Sequence, residues 1–181
     1  MTATGNRYEM SDRPVMLTGF MGTGKSSVGR ILAGLIGWPF VDLDEVIVAD
    51  AGKSINEIFA KDGEADFRAL ESVCLERILN DGPVVIAGGG GVVVSESNRR
   101  MMREKALVVN LTAQLSVILA RLEGAADRPL IAVQDSANRV QRLMAERKQF
   151  YEDADIRIDT DNKSVEDVAA EILKSLKGLS A

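Results

Sequence analysis

The chain is 181 residues long, enough for one domain with a full hydrophobic core. Its formal net charge of −5 argues against non-specific binding to nucleic acid or to an anionic membrane surface. The sequence contains no histidine, which excludes Ser-His and Cys-His catalysis, so acid–base chemistry must come from carboxylates, lysine or tyrosine. It contains a single cysteine, Cys74, which excludes an internal disulfide and a zinc cluster.

The N-terminal residues 1–13 are polar and contain no apolar run of signal-peptide length. We therefore expect a flexible leader followed by a single domain over residues 14–181. No stretch of the sequence is long and apolar enough to span a bilayer, which makes the cytoplasm the expected compartment.

A short apolar run at residues 15–18 predicts a buried strand, and the pattern G-x-x-x-x-G-K-S follows it at residues 19–26. Its glycines permit positive φ, which turns successive N–H groups inward and creates an anion site. Lys25 would contact the β- and γ-phosphates of a nucleotide, and Ser26 would offer its hydroxyl to Mg²⁺. The alternative, a turn that only connects strand to helix, is less favoured because a helix is predicted directly afterwards, over residues 26–36.

Two aspartates, Asp42 and Asp44, lie at the carboxyl end of a second predicted strand, residues 40–42. Near a magnesium-bound nucleotide, one carboxylate can hold a metal-bound water and the other can accept a proton from an attacking hydroxyl. The alternative is that Asp44 only caps the following helix.

Glu64, Arg68 and Glu71 share one face of a helix predicted over residues 64–79. An arginine held by a carboxylate presents a fixed fork that suits bidentate contact with a substrate carboxylate. The alternative is a solvated row of ion pairs. Cys74 falls on the apolar side of the same helix, which favours a core thiol.

Four consecutive glycines, residues 88–91, follow a third predicted strand. They cost backbone entropy, and the cost is useful where a ligand approaches the backbone closely. We interpret the run as a substrate contact through backbone N–H groups, with a mobile hinge as the alternative.

Two arginines near the C-terminal third of the chain are further candidates. Arg128 lies in a polar loop at about residues 123–136, and Arg147 lies late in the next predicted helix. An arginine on a loop that closes over phosphates commonly stabilises charge on the transferring group. For either arginine alone, a solvated surface position is the preferred interpretation.

Strands and helices alternate along the chain, which predicts a parallel sheet of about five strands covered by helices on both faces, an α/β fold of three layers. Ligands bind beyond the carboxyl ends of such strands, so the phosphate loop, the aspartates and the glycine run should share one rim. The other predicted strands are residues 84–87, an apolar central strand at 107–111, and 156–158. The other predicted helices are residues 45–51, a short helix after a capping box at 54–57, 95–103, 113–122, 137–150 and 164–176.

Together these segments resemble the shikimate kinases, small P-loop kinases, over about residues 14–160. The most specific parts of the resemblance are Phe67-Arg68-x-x-Glu71, the glycine run and Arg128-Pro129-Leu130.

The resemblance implies a P-loop kinase fold and transfer of the γ-phosphoryl of ATP to the 3-hydroxyl of shikimate, with Mg²⁺ as cofactor. The implied catalytic residues are Lys25, Asp44 and Arg128. The implied nucleotide-binding residues are Gly22, Thr23, Gly24, Lys25, Ser26, Ser27, Arg121 and Arg128. The implied substrate-binding residues are Asp44, Arg68, Glu71, Gly88, Gly89, Gly90 and Arg147. Ser26 would ligate the metal directly and Asp42 through water.

The expected partners are ATP and shikimate, and we expect a monomer that binds neither nucleic acid nor a membrane. Another small-molecule kinase of the same fold, acting on a sugar acid or a nucleotide, is the nearest alternative. A non-catalytic nucleotide-binding module is a second alternative, and it would need no acceptor pocket. The pair Arg68 and Arg147 suits a single carboxylate on a small polyol ring.

Overall fold

The computed structural model describes residues 12–122 and 136–179. The predicted lid at about residues 123–136, including Arg128, therefore lies almost entirely outside the described residues, as does most of the predicted leader. Among the helices of the described ranges, none combines the length and the apolar character that a membrane span requires.

The centre of the structure is a five-stranded, all-parallel sheet with the order β2-β3-β1-β4-β5. Each strand lies within one residue of its predicted bounds. The strands are β1 (Val15–Gly19), β2 (Phe40–Asp42), β3 (Val85–Ala87), β4 (Leu107–Thr112) and β5 (Ile156–Asp159).

Helices cover both faces of the sheet, which confirms the predicted three layers. Alternate residues of β1 enter different cores: Met16 packs on one face, whereas Val15 and Leu17 pack on the other. Residues of the first and last helices complete the second core. The helices are α1 (Lys25–Ile36), α2 (Leu43–Ala51), α3 (Ile55–Lys61), α4 (Glu64–Leu79), α5 (Glu96–Lys105), α6 (Leu115–Leu122), α7 (Ser136–Tyr151) and α8 (Val165–Leu179).

The strand order positions the functional rim. Because β3 lies between β2 and β1, the glycine run after β3 is placed between Asp42 at the end of β2 and the phosphate loop after β1. The three loops meet at the carboxyl edge of the sheet, as the alternation of elements predicts.

Helix α2 begins two residues earlier than predicted, because Asp42 is its N-cap. The Asp42 carboxylate accepts a hydrogen bond from the backbone N–H of Asp44 at 3.0 Å. The suggestion that Asp44 caps this helix is therefore wrong. The capping function belongs to Asp42, and Asp44 lies inside the first turn.

Two glycines of α1 provide a matched test of the packing between helix and sheet. A Cβ atom on Gly29 would lie 2.5 Å from the Phe40 ring, whereas one on Gly34 would meet nothing within 4 Å. We expect Gly29→Ala to lower the free energy of unfolding by about 1–3 kcal/mol through overpacking. Gly34→Ala should raise it by about 0.5–1 kcal/mol through helix propensity. Urea denaturation measures both, and equal effects of the two substitutions would contradict this packing.

Candidate functional site

The phosphate loop has the backbone conformation that its glycines predict. Gly19, Gly22 and Gly24 have φ values of 142°, 79° and 91°. A Cβ atom on Gly19 would lie 2.4 Å from the Leu111 carbonyl oxygen, so glycine is required there for space as well. Gly24 is the N-cap of α1 and has no side chain to occupy the first N–H groups of the helix, which leaves them to an anion.

Lys25 is buried inside this loop. Its Nζ donates to the carbonyl oxygens of Gly19 at 2.9 Å and Phe20 at 3.0 Å. The hydroxyl of Thr23 donates to the same Phe20 oxygen at 2.8 Å. The loop therefore surrounds an ammonium group, and that positive charge lies beside the amino end of α1.

Ser26 and Asp42 form the candidate metal site. The Ser26 hydroxyl donates to Asp42 Oδ2 at 2.6 Å, so the start of α1 and the end of β2 are in direct contact. No cluster of three or more histidine, cysteine or acidic side chains suited to a metal occurs within residues 12–122 and 136–179. One hydroxyl and one carboxylate are the oxygen ligands that fit Mg²⁺ held mainly by nucleotide phosphates and water.

A cavity of about 550 Å³ lies beside the phosphate loop. Six of the seven predicted substrate-binding residues line it: Asp44, Arg68, Glu71, Gly89, Gly90 and Arg147. The seventh, Gly88, is buried beneath the cavity, where a Cβ atom would lie 2.5 Å from Met16 Cε. We call this space the acceptor cavity.

Arg68 and Glu71 form a buried ion pair at the base of the acceptor cavity. Arg68 Nη1 donates to Glu71 Oε2 at 2.8 Å, and Nη2 donates to Glu64 Oε1 at 3.3 Å. The Glu71 side chain is 0% exposed and that of Arg68 is 20% exposed, which rules out a solvated row of ion pairs. Burial raises the pKa of Glu71, and the guanidinium of Arg68 opposes that shift.

Arg68 Nε and Glu71 Oε1 have no hydrogen-bond partner among the described residues. This pair therefore keeps unused hydrogen-bonding capacity next to a cavity. A ligand bearing a carboxylate or hydroxyl groups would satisfy it.

The glycine run is required for space and has no positive φ. A Cβ atom on Gly89 would lie 2.7 Å from Asp44 Oδ1 and 3.2 Å from Glu71 Oε1. One on Gly91 would lie 2.4 Å from Arg68 Nη2. The charged groups of the cavity therefore pack directly against the loop backbone.

Two side chains of α7 hold the glycine run in place. Arg147 Nη1 donates to the Gly90 carbonyl oxygen at 3.2 Å, and the Tyr151 hydroxyl donates to the same oxygen. Burial raises the pKa of Tyr151 to about 12, so its hydroxyl stays protonated and remains a donor at neutral pH. These bonds, together with the burial of Gly89 and Gly91, favour a packed loop over the mobile-hinge alternative.

Arg121 lies at the other side of the phosphate loop. It donates to the Gly22 carbonyl oxygen at 3.2 Å and to the hydroxyl and carbonyl oxygens of Thr160 at 3.0 and 3.1 Å. It therefore links the loop to the end of β5. Ser27 is exposed on α1, and Arg128 lies outside the described residues.

Sequence reasoning missed several residues of the acceptor cavity. Phe59 and Phe67 line it with ring centroids 4.7 Å apart, and Arg139 lies on its wall from α7. The spacing of eight residues between Arg139 and Arg147 on one helix could have indicated a shared face. No local pattern could have paired Phe59 with Phe67, because they belong to different helices.

The family model described as shikimate kinase matches residues 21–177. Shikimate kinases of Geobacter metallireducens and Geobacter sulfurreducens are each 52% identical, over 93% and 88% of this chain and 94% and 88% of theirs.

A solved structure of shikimate kinase from Acinetobacter baumannii in complex with shikimate superposes with a TM-score of 0.90 at 33% identity. The alignment covers 94% of this chain and 96% of that one. The chain therefore belongs to the shikimate kinase family and has its P-loop kinase fold.

Proposed function

We propose that this ATP-dependent kinase binds shikimate in the acceptor cavity and ATP along the phosphate loop, within one chain. The observation that carries the assignment is the convergence of Asp44, Arg68 and Arg147 on a single cavity beside that loop. We further propose that it acts as a monomer. The single buried, unpaired cysteine suits the reducing cytoplasm.

The substrate carboxylate is proposed to lie against Arg68 and Arg147. Arg68 is fixed by Glu71 at 2.8 Å, and Arg147 is fixed by its bond to Gly90, so both guanidinium groups are positioned before the ligand arrives. Preorganised cations lose little side-chain entropy on binding. Glu71 acts through Arg68, and Gly89 and Gly90 bring the backbone close to the ligand.

Asp44 is proposed to face the reacting hydroxyl and to accept its proton. The hydroxyl oxygen forms a bond to the γ-phosphorus, the bond from that phosphorus to the bridging oxygen breaks, and ADP leaves. Such a transfer depends mainly on positioning and charge stabilisation. Lys25, in contact with carbonyl oxygens of the loop, would contact the phosphate oxygens, and Arg128 would reach them from the proposed lid.

The nucleotide side of the site is proposed to include Gly22, Thr23, Gly24, Ser26, Ser27 and Arg121. Ser26 would hold Mg²⁺ directly and Asp42 through water, as their 2.6 Å contact and oxygen chemistry permit. The metal, when bound, neutralises negative charge on the transferring phosphates.

An acceptor panel tests the substrate assignment. ADP release should be measured with shikimate, gluconate and AMP as separate acceptors. We expect kcat/KM for shikimate to exceed the others by at least roughly 10³-fold, because Arg68 and Arg147 are positioned to bind one carboxylate at a fixed place on the acceptor. Comparable rates with AMP would favour a nucleotide kinase. Nucleotide binding without acceptor-dependent ADP release would favour the non-catalytic module.

Asp44→Asn tests the proposed base. It removes the proton acceptor and keeps the shape of the side chain, so we expect kcat to fall by roughly 10²–10⁴-fold with little change in the KM for ATP. Glu45→Gln is the matched control, because Glu45 is the next residue of α2 and pairs with Arg30 at the surface. A near-normal kcat for Asp44→Asn would remove the proposed role.

Arg68→Lys tests the carboxylate contact. A point charge replaces a bidentate fork, so we expect the KM for shikimate to rise by roughly tenfold or more while the KM for ATP stays the same. Arg77→Lys is the control, because Arg77 is an exposed arginine of the same helix that pairs with Asp50 away from the cavity. An unchanged KM for shikimate in Arg68→Lys would place the acceptor carboxylate elsewhere.

A further inference from the structure

A second cavity of about 270 Å³ lies on the other side of α7. It is lined by residues of the phosphate loop, β4, α6, α7 and β5, and it shares no lining residue with the acceptor cavity. Helix α7 is a wall of both cavities: Leu143 and Arg147 face the acceptor cavity, whereas Met144, Lys148 and Tyr151 line the second one.

The interior of this second cavity is mainly apolar, although a buried amide and the threonines Thr23 and Thr112 also line it. Phe20, Leu111, Ile118 and Met144 contribute apolar surface. Asn110 is a polar residue in the otherwise apolar middle of β4, and it is only 1% exposed. Its Oδ1 has no hydrogen-bond partner in the described part of the chain. A buried acceptor without a donor is destabilising, and a ligand donor would offset that cost.

Two cations line the same cavity. Arg157 is the register partner of Asn110 on β5, so the two side chains start from neighbouring positions on one face of the sheet. Arg157 is exposed, and its guanidinium has no ion pair or hydrogen bond within residues 12–122 and 136–179. Lys148 contributes a second positive charge, 4.0 Å from Glu152.

We propose that the second cavity binds a small aromatic carboxylate that carries a hydrogen-bond donor opposite its acid group. The ring would contact the apolar walls, the donor would bond to Asn110 Oδ1, and the carboxylate would lie at Arg157 and Lys148. The volume suits one substituted ring: cavities of about 150 Å³ already accept benzene, and drug-sized ligands need about 300–1,000 Å³.

A ligand in this position would contact the elements that hold both substrates. Phe20 belongs to the phosphate loop and accepts a hydrogen bond from Lys25. Tyr151 bonds to Gly90 in the wall of the acceptor cavity. The second cavity is therefore a separate site in contact with both halves of the active site.

The proposal is tested by titration calorimetry with 4-hydroxybenzoate as the probe, at saturating shikimate and ADP so that the acceptor cavity is occupied. We expect saturable binding of one molecule per chain. Benzoate, which lacks the donor, should bind roughly three- to tenfold more weakly. Phenol, which lacks the charge, should bind up to about fivefold more weakly than 4-hydroxybenzoate.

Variants locate the site. Asn110→Phe fills the cavity and should abolish binding, and Asn110→Leu removes the acceptor and should reduce 4-hydroxybenzoate to the affinity of benzoate. Arg157→Gln should weaken 4-hydroxybenzoate and leave phenol unchanged. Arg100→Gln is the control, because Arg100 is an exposed arginine of α5 that lines neither cavity.

Three results would overturn the proposal. They are the absence of detectable binding by all three probes, displacement of 4-hydroxybenzoate by shikimate or ADP, and equal affinity in wild type and in a folded Asn110→Phe or Asn110→Leu variant. None of these results bears on the proposed shikimate site, which the acceptor panel tests separately.

Discussion

The buried carboxylate of Glu71 is the constraint on which the site depends. A fully buried charge is tolerated only when a partner and hydrogen bonds compensate its lost hydration, and Arg68 supplies that compensation at 2.8 Å. Removing one partner of such a pair typically costs about 3–5 kcal/mol, so the fold itself holds Arg68 in position. Gly89 and Gly91 follow from the same constraint, because side chains there would collide with Glu71, Asp44 or Arg68. The residue that the protein needs for stability is thus the one that orients the arginine proposed to bind the substrate.

The strand order converts this local arrangement into an active site. Strand β3 lies between β2 and β1. The glycine run that follows β3 therefore lies between the aspartates after β2 and the phosphate loop after β1. In the proposed site, an acceptor over the glycine run would lie between a carboxylate and the phosphate loop. Ser26 and Asp42 form the candidate metal site at the same edge of the sheet, where their contact joins the start of α1 to the end of β2.

Helix α7 contributes to the site from outside the sheet. Arg147 and Tyr151 both bond to the Gly90 carbonyl oxygen, so this helix fixes one side of the acceptor cavity. The other side of the helix borders the second cavity, where Asn110 leaves an acceptor without a donor. One helix therefore borders both spaces.

The sequence alone determined the phosphate loop, the alternation of strands and helices, and the bounds of every strand to within one residue, because these features rest on local backbone preferences and on short-range periodicity. It also indicated which charged residues belong together, through the spacing of Arg68 and Glu71 on one helix. Only the tertiary structure decided that Asp42 and not Asp44 caps α2, that Arg68 is half-buried beside Glu71, and that α7 bonds to the glycine run. It alone placed Phe59 beside Phe67 and showed that Asn110 lines a cavity. These outcomes depend on contacts between residues far apart in the chain, and burial, unlike periodicity, is a property of the whole packed molecule.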